Sequence, residues 1–252
     1  ILEHLDRLIE IFNVCWPMYA AMPAVLKKAV EKSYIDCGWD LMKSVNEFGA
    51  IYPTFADVAE NIKEIIDSSE YDNENKGAYK GSLLTRIESL TNGINGLIFS
   101  QEELSNQQLF DSNVIVDLSR VGSSETKSLI MGILVLKLQE YRMSHADMNS
   151  RLRHLTVLEE AHNLLKRTST EQVSESSNLI GKSVEMLANS IAEMRTYGEG
   201  FIIVDQAPGL LDLSVIRNTN TKIIMRLPDW SDRELVGKSA NLNDDQILEL
   251  AR

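Results

Sequence analysis

Two adjacent carboxylic acids, Glu159 and Glu160, directly follow the apolar run at residues 155–158. Open parallel sheets bind their ligands at the carboxyl ends of the strands, where these acids would lie if the run is a strand. In nucleoside triphosphate hydrolysis, one acid at such an edge belongs to the Mg²⁺ shell, and a second orients or deprotonates the attacking water. The alternative is a solvated helix start, because acids also favour the first turn of a helix.

A neutral amide and a cation near the next apolar run could serve the same chemistry. Gln206 comes two residues after that run, which occupies residues 201–204. An amide beside a transferring phosphoryl group can position water without adding charge, although the same residue type is common in turns. Arg195 lies upstream, near the end of a predicted helix, where a cation is also ordinary compensation of the helix dipole.

No stretch of the sequence satisfies the phosphate-binding pattern G-x-x-x-x-G-K-[ST], which must follow a strand and open a helix. The G-K-S triplets at residues 181–183 and 237–239 lack the first glycine, and in residues 122–128 Thr126 replaces the glycine before the lysine. The four histidines and two cysteines show neither C-x-x-C nor H-E-x-x-H spacing. A zinc centre is therefore not expected.

The composition indicates a folded protein, with 44% hydrophobic and 25% charged residues among 252. The formal net charge of −12 opposes nucleic-acid or anionic-lipid binding over the whole surface, so any DNA contact must be local. The longest apolar run, residues 129–136, is much shorter than the roughly 20 residues of a membrane-spanning helix. Cys15 and Cys37, without a signal-peptide pattern, predict a reducing, cytoplasmic compartment.

The chain divides into two zones near residue 111. The first zone, residues 1–110, predicts helices only, at residues 2–16, 23–36, 55–68 and 83–90, with a polar loop at residues 71–80. The helix at residues 55–68 has Thr54 and Asp57 in the positions of a capping box.

The second zone, residues 111–252, alternates short apolar runs with helical stretches, which is typical of a mostly parallel sheet covered by helices. Strands are predicted at residues 113–117, 155–158, 201–204 and 222–227, and three of these runs suit interior strands covered on both faces. Helices are predicted at residues 125–143 and about 177–197, and polar loops at residues 144–150 and 166–176.

The order of these pieces is more specific than any one of them. Four segments closely resemble the HerA-type DNA translocase family: L-E-E-A-H-N-L-L at residues 158–165, A-E-M-R-T-Y-G-E-G at 192–200, V-D-Q-A-P at 204–208 and N-T-N-T-K-I at 218–223. That family belongs, with the FtsK-like motors and the type IV secretion ATPases, to the hexameric RecA-like P-loop motors. The resemblance covers residues 113–252 well, and the helical zone is similar to the insertion that follows the family's phosphate-binding loop.

The resemblance implies an α/β, RecA-like P-loop NTPase core that uses ATP and Mg²⁺. Glu159 would be the Mg²⁺-associated acid, Glu160 the catalytic base, and Gln206 the sensor that contacts the nucleotide. Arg195 would be the arginine finger offered to the adjacent subunit. Where family members often have Arg-Lys-Tyr-Gly, this chain has R-T-Y-G at residues 195–198, a departure that leaves Arg217 and Arg226 as rival fingers.

The larger departure from the family is the missing phosphate-binding (Walker A) loop. The resemblance implies that it lies upstream of Ile1, together with the family's N-terminal β-barrel, and the lack of an initiator Met agrees with this expectation. The 252 residues alone would then hydrolyse no ATP. The implied function is ATP-driven translocation of double-stranded DNA by a homo-hexameric ring, with Lys166 and Arg167 as candidate DNA contacts in the pore. Two alternatives remain: a secretion or conjugation ATPase, and a non-catalytic ring scaffold. The implied partner is a NurA-like nuclease or an anti-phage effector, and no membrane is involved.

Overall fold

The computed structural model describes residues 1–167 and 175–252, and for residues 175–179 it describes the backbone alone. The contacts divide the chain into two compact units. The first consists of residues 1–10 and 18–105, and the second of residues 11–17 and 106–252. The first helix, α1 (Leu2–Cys15), therefore contributes residues to both units.

The first unit is built of helices and one very short hairpin. Besides the start of α1, its elements are α2 (Met22–Asp36), β1 (Trp39–Asp40), β2 (Val45–Asn46), α3 (Phe55–Ser68), α4 (Asn73–Tyr79), α5 (Thr85–Leu90) and α6 (Gly93–Ile98), with a π-helical turn at Lys80–Leu84. Buried Met22, Leu26, Ile62, Ile66 and Ile87 form its core.

The predicted start of α3 is confirmed. The Thr54 hydroxyl accepts a hydrogen bond from the Asp57 backbone N–H, and the Asp57 carboxylate accepts one from the Thr54 N–H at 2.7 Å.

Two other predictions for the first zone are wrong. Helices are not its only elements, since β1 and β2 form an antiparallel pair. Residues 73–79 of the predicted loop are helical, because the Asp72 carboxylate caps α4 by accepting from the Asn75 N–H at 2.8 Å.

The second unit carries a parallel strand pair among helices. Its elements are α7 (Asn106–Phe110), α8 (Ser124–His145), β3 (His154–Glu159), α9 (Glu175–Glu193), β4 (Glu199–Val204), α10 (Leu213–Asn218), α11 (Trp230–Ser239) and α12 (Asp244–Glu249). The predicted strands at residues 155–158 and 201–204 are confirmed as β3 and β4. Of the polar loop predicted at residues 166–176, residues 168–174 lie outside the described residues. No helix in the described part of the chain is long and apolar enough to cross a bilayer.

The two other predicted strands are wrong. Residues 113–117 and 222–227 have no strand structure, and Ile115 at the centre of the first run is 94% exposed. An apolar run becomes a strand only when a neighbouring chain segment supplies its hydrogen-bond partners. Among the described residues, only β3 and β4 form a parallel pair, so the chain is a mostly helical α/β protein with small sheets.

One face of the β3–β4 pair is open, which corrects the expectation of strands covered on both faces. Val157 and Ile202 are register partners and are 53% and 46% exposed. On the other face, Leu158 is buried and its partner Ile203 is half-buried. The sheet therefore has a covered face and an exposed apolar face.

A buried polar cluster holds the two strands at their amino ends. The Glu199 carboxylate, which is fully buried, accepts from Arg142 Nε at 2.9 Å and from the Thr156 hydroxyl at 2.7 Å, and it lies 2.8 Å from His154 Nδ1. Arg142, on α8, also donates to Asp111 at 2.6 Å. Hydrogen bonds from the Tyr141 hydroxyl and from Arg142 lower the pKa of Asp111. This cluster ties α8 to both strands.

Candidate active site

The site lies where β3 and β4 end. The two strands are paired in register from His154–Glu199 to Glu159–Val204, so they finish side by side at one edge. The residues that follow β3 therefore lie beside those that follow β4. This edge is the position at which open parallel sheets bind ligands.

Glu160 is the residue at which the chain leaves β3, and its backbone is unusual. It adopts the left-handed conformation, with φ 50° and ψ 45°, and the 3₁₀ turn Ala161–Asn163 follows. Such a conformation costs a non-glycine residue about 1–3 kcal/mol and is concentrated at functional sites. The Glu160 carbonyl accepts from the Asn163 N–H at 2.9 Å, which closes the turn.

Two of the residues predicted from the sequence meet at this edge. Gln206 Nε2 donates to Glu160 Oε1 at 2.8 Å, across the gap between the two strand ends. The Glu160 side chain is 48% exposed, so its carboxylate is hydrogen-bonded yet accessible to water. A carboxylate in this position can accept a proton from an attacking water molecule, with the amide beside it as an orienting group.

Glu159 ends β3 on the exposed apolar face, in register with Val204. Among the described residues there is no cluster of three or more metal-ligating side chains. Mg²⁺ keeps several waters and needs only one or two protein carboxylates when substrate phosphates complete its shell. An exposed carboxylate such as that of Glu159 fits this manner of binding, whereas a dedicated all-protein cage does not exist in the described chain.

The three glycine–lysine stretches are not phosphate-binding loops. Gly181 and Gly237 lie inside α9 and α11, where the backbone N–H groups are used by the helix. Gly122 precedes α8, whose N-cap is Ser123, but no strand leads into it. None of the three stretches therefore supplies a phosphate-binding loop.

Arg195, the first arginine candidate, is separated from the acids within one chain by the length of a strand. Arg195 lies in the 3₁₀ turn Met194–Tyr197, just before β4, whereas Gln206 follows β4. The six-residue strand between them is about 20 Å long. Arg217 is exposed in the last turn of α10, and Arg226 donates from Nε to the Ala251 carbonyl at 3.0 Å. Within the described residues, none of the three arginines forms a hydrogen bond or ion pair with Glu160.

Lys166 and Arg167, the candidate DNA contacts, pair through their backbones with the residues just before α10. Lys166 forms an antiparallel bridge with Leu211, and the Arg167 N–H donates to the Leu210 carbonyl at 2.7 Å. Both residues are exposed. Their backbones are anchored while their side chains remain available to a ligand in solution.

Sequence reasoning missed two members of the site. Asp205 lies beneath the edge with its side chain only 3% exposed, and its Oδ2 accepts from the His162 backbone N–H at 2.8 Å. The same oxygen lies 2.9 Å from His162 Nδ1. Their positions in the sequence could have indicated them. Asp205 directly precedes Gln206 at a strand end, and His162 is two residues after Glu160.

This geometry belongs to a mostly helical α/β protein in which two parallel strands end side by side, and its fold matches that of a solved structure. VirB4 of Thermoanaerobacter pseudethanolicus superposes with a TM-score of 0.67 at 15% identity, over 100% of this chain and 64% of that one. No family model matches the sequence.

Two curated sequences give the more particular relationship. The DNA double-strand break repair helicase HerA of Sulfolobus acidocaldarius is 25% identical over 177 residues, which is 69% of this chain. The protein of the same name from Sulfurisphaera tokodaii is 22% identical over 180 residues, or 70% of the chain. The aligned region is 34% of each relative's length. The chain is thus distantly similar to HerA helicases over about 70% of its length, and it shares its fold with VirB4; both relatives are ATPases of the FtsK/HerA superfamily.

Proposed function

We propose that this chain is part of an ATP-hydrolysing motor subunit that, as a homo-hexameric ring, translocates double-stranded DNA. The observation that carries the proposal is the contact between Glu160 and Gln206 at the joint end of two parallel strands. The similarity to HerA helicases over 69% of the chain supports the choice of DNA as the substrate of the motor.

Each site residue has a role in the proposed reaction. Glu160 accepts the proton of the water that attacks the γ-phosphate, and Gln206 orients that water and senses the phosphoryl group. Glu159 contributes a carboxylate to the Mg²⁺ shell, directly or through water. Bound Mg²⁺ neutralises the negative charge that develops on the phosphate oxygens.

The proposal assigns Arg195 to the nucleotide of the adjacent subunit. Its separation from Glu160 by the length of β4 supports a role in trans, because a finger acting within its own chain would have to lie at the acidic edge. The proposal also requires a phosphate-binding loop from elsewhere in the complete gene product, since the 252 residues contain none.

DNA contact is proposed at Lys166 and Arg167. The net charge of −12 means that the exterior repels DNA phosphates, so contact must be confined to a small basic lining of the ring. Exposed side chains on an anchored backbone suit that purpose. Neutralising few phosphates gives a weak dependence of DNA binding on salt. In this setting, a nuclease or an anti-phage effector is the proposed protein partner.

A secretion or conjugation ATPase is the second candidate. The VirB4 superposition favours it, because that match extends over 100% of the chain. Such a motor moves protein, or a strand linked to protein, so free double-stranded DNA would not increase its rate of ATP hydrolysis. A ring that binds its partner without hydrolysing ATP would instead be a scaffold.

The test is ATP turnover by the complete gene product, with and without double-stranded DNA, alongside its mass in solution. We expect a hexamer-sized particle whose turnover rises when DNA is added. Glu160→Gln removes the proton acceptor and is expected to lower turnover about 10²–10⁴-fold while nucleotide binding is retained.

Glu185→Gln is the matched control, because Glu185 is an exposed glutamate on α9 and does not belong to the segments that follow β3 and β4. It should leave turnover unchanged. Full turnover in Glu160→Gln would refute the role of Glu160. An ATP turnover rate that does not change when DNA is added would favour the secretion ATPase. A ring that hydrolyses no ATP would favour the scaffold.

A further inference from the structure

Asp205 is a nearly buried carboxylate that the proposed mechanism does not use. Its Oδ2 accepts from the His162 N–H at 2.8 Å and lies 2.9 Å from His162 Nδ1. Its Oδ1 accepts from the Ala207 N–H at 2.9 Å. Burying a carboxylate is costly unless donors surround it, and here each donor belongs to one of the two strand ends. Asp205 therefore links the residues after β3 to those after β4.

These contacts fix the orientation of the His162 ring. A carboxylate only accepts hydrogen bonds, so in the contact with Asp205 the donor is His162 Nδ1. The same Nδ1 lies 3.7 Å from Glu160 Oε2, while the other Glu160 oxygen accepts from Gln206. One oxygen of Glu160 thus faces the imidazole and the other faces the amide.

The backbone of the turn after Glu160 is also fixed by hydrogen bonds. Asp205 binds the His162 N–H, and the Glu160 carbonyl accepts from the Asn163 N–H. The Ser128 hydroxyl of α8 donates to the Asn163 carbonyl. The direction in which Glu160 points is therefore set by residues on two neighbouring segments and one helix.

We propose that His162 and Asp205 are positioning residues for Glu160. Asp205 holds the imidazole. The ring packs 3.7 Å from Glu160 Oε2 without a hydrogen bond to it, and so prevents the carboxylate from turning away from Gln206 and the attacking water. In these roles both residues act on hydrolysis through Glu160 and not through ATP. The inference rests on the proposed hydrolysis, because a positioned carboxylate has this use only if Glu160 accepts a proton.

The test is steady-state hydrolysis by the complete protein with His162→Ala. Misplacing a reacting group by about 1 Å can cost about 10²-fold in rate, so we expect kcat to fall about 10–100-fold. The KM for ATP should stay within about twofold, because the histidine does not bind the nucleotide. His145→Ala is the matched control, since His145 is exposed at the end of α8, and it should leave kcat unchanged.

Rescue separates positioning from simple structural support. His162→Asn places an amide N–H about where Nδ1 lies, so it can still donate to Asp205 and should recover most of kcat. His162→Ala combined with Glu160→Gln should be no slower than Glu160→Gln alone, because the histidine acts through the glutamate. Rate losses that merely follow the folded fraction, measured by circular dichroism, would overturn the proposal.

A second measurement uses the 252-residue chain and does not depend on hydrolysis. With ¹⁵N-labelled histidine, the ring of His162, assigned by its loss in His162→Asn, should carry its proton on Nδ1, and Asp205→Ala should abolish that signal. A ring protonated only on Nε2 would overturn the inference. Wild-type protein without turnover would refute the proposed function, whereas normal turnover with an unaffected His162→Ala would refute only the positioning role.

Discussion

At the scale of single residues, the ion pair between Arg142 and Glu199 is buried, so the loss of either partner is expected to lower the stability of the protein. The two side chains are 6% and 0% exposed, and their closest atoms are 2.9 Å apart. Two buried charges are tolerated only when each is paired and hydrogen-bonded. Glu199 meets that condition through three side chains, of which Arg142 is the only one that is always charged.

Arg142→Met should therefore destabilise the protein. The substitution keeps much of the apolar stem but leaves Glu199 buried without its cation, which typically costs about 3–5 kcal/mol. Urea unfolding followed by circular dichroism measures the difference. Lys238→Met is the control, because Lys238 pairs with Glu234 on the exposed surface of α11, and its unfolding midpoint should not move. Equal midpoints for the two variants would contradict this account of the cluster.

At the scale of elements, β4 depends on the turn that precedes it. Gly198 has φ 82°, and a Cβ added there would lie 2.4 Å from the Arg151 carbonyl oxygen. The Gly198 carbonyl accepts from the Arg153 N–H at 2.8 Å, which ties the start of β3 to the start of β4. A side chain at this position meets both an unfavourable backbone conformation and a backbone oxygen that has little room to move.

Gly198→Ala is expected to lower the free energy of unfolding by more than about 1 kcal/mol, since alanine at positive φ is strained even where space exists. Gly122→Ala provides the comparison, because Gly122 has no atom within 4 Å of the added Cβ and no positive φ. Guanidinium titrations of both variants measure the effect. If Gly122→Ala proved the more destabilising, the turn before β4 would not be the constraint that we describe.

The elements also show how far the sequence alone can be taken. The start of α3 was predictable because its capping box is local, made by Thr54 and Asp57. The runs at residues 113–117 and 222–227 have the composition of strands but no partner in the described chain, and pairing is not a local property. The α4 helix was missed because its first four residues are polar and Tyr79 is its one buried residue, so it shows no helical repeat of apolar positions and only Asp72 marks its beginning.

The candidate site was likewise predictable only in part. The ends of parallel strands lie together, so the meeting of Glu160 and Gln206 follows from recognising two strands. The partnership of His162 with Asp205 does not, because it depends on the left-handed turn at Glu160. Sequence patterns specify which residues reach an edge, and the backbone geometry decides which atoms face each other there.

At the scale of the whole molecule, charge and exposed apolar surface act against each other. The net charge of −12 at pH 7 makes copies of the chain repel one another. The exposed apolar face of the sheet, centred on Val157 and Ile202, favours contact instead. Repulsion disappears as the pH falls toward the isoelectric point of about 4.9, whereas the apolar attraction does not depend on protonation.

The 252-residue chain is therefore expected to self-associate increasingly between pH 7 and pH 5, and to do so at pH 7 when salt screens the charges. Static light scattering measures the mass. The double variant Val157→Thr, Ile202→Thr keeps the net charge and the strand propensity but removes apolar surface, so its association should be weaker at every pH. Ile94→Thr, at an exposed position of the first unit, should behave like wild type. If Ile94→Thr weakened association as much as the double variant, nonspecific contact rather than the open sheet face would be responsible.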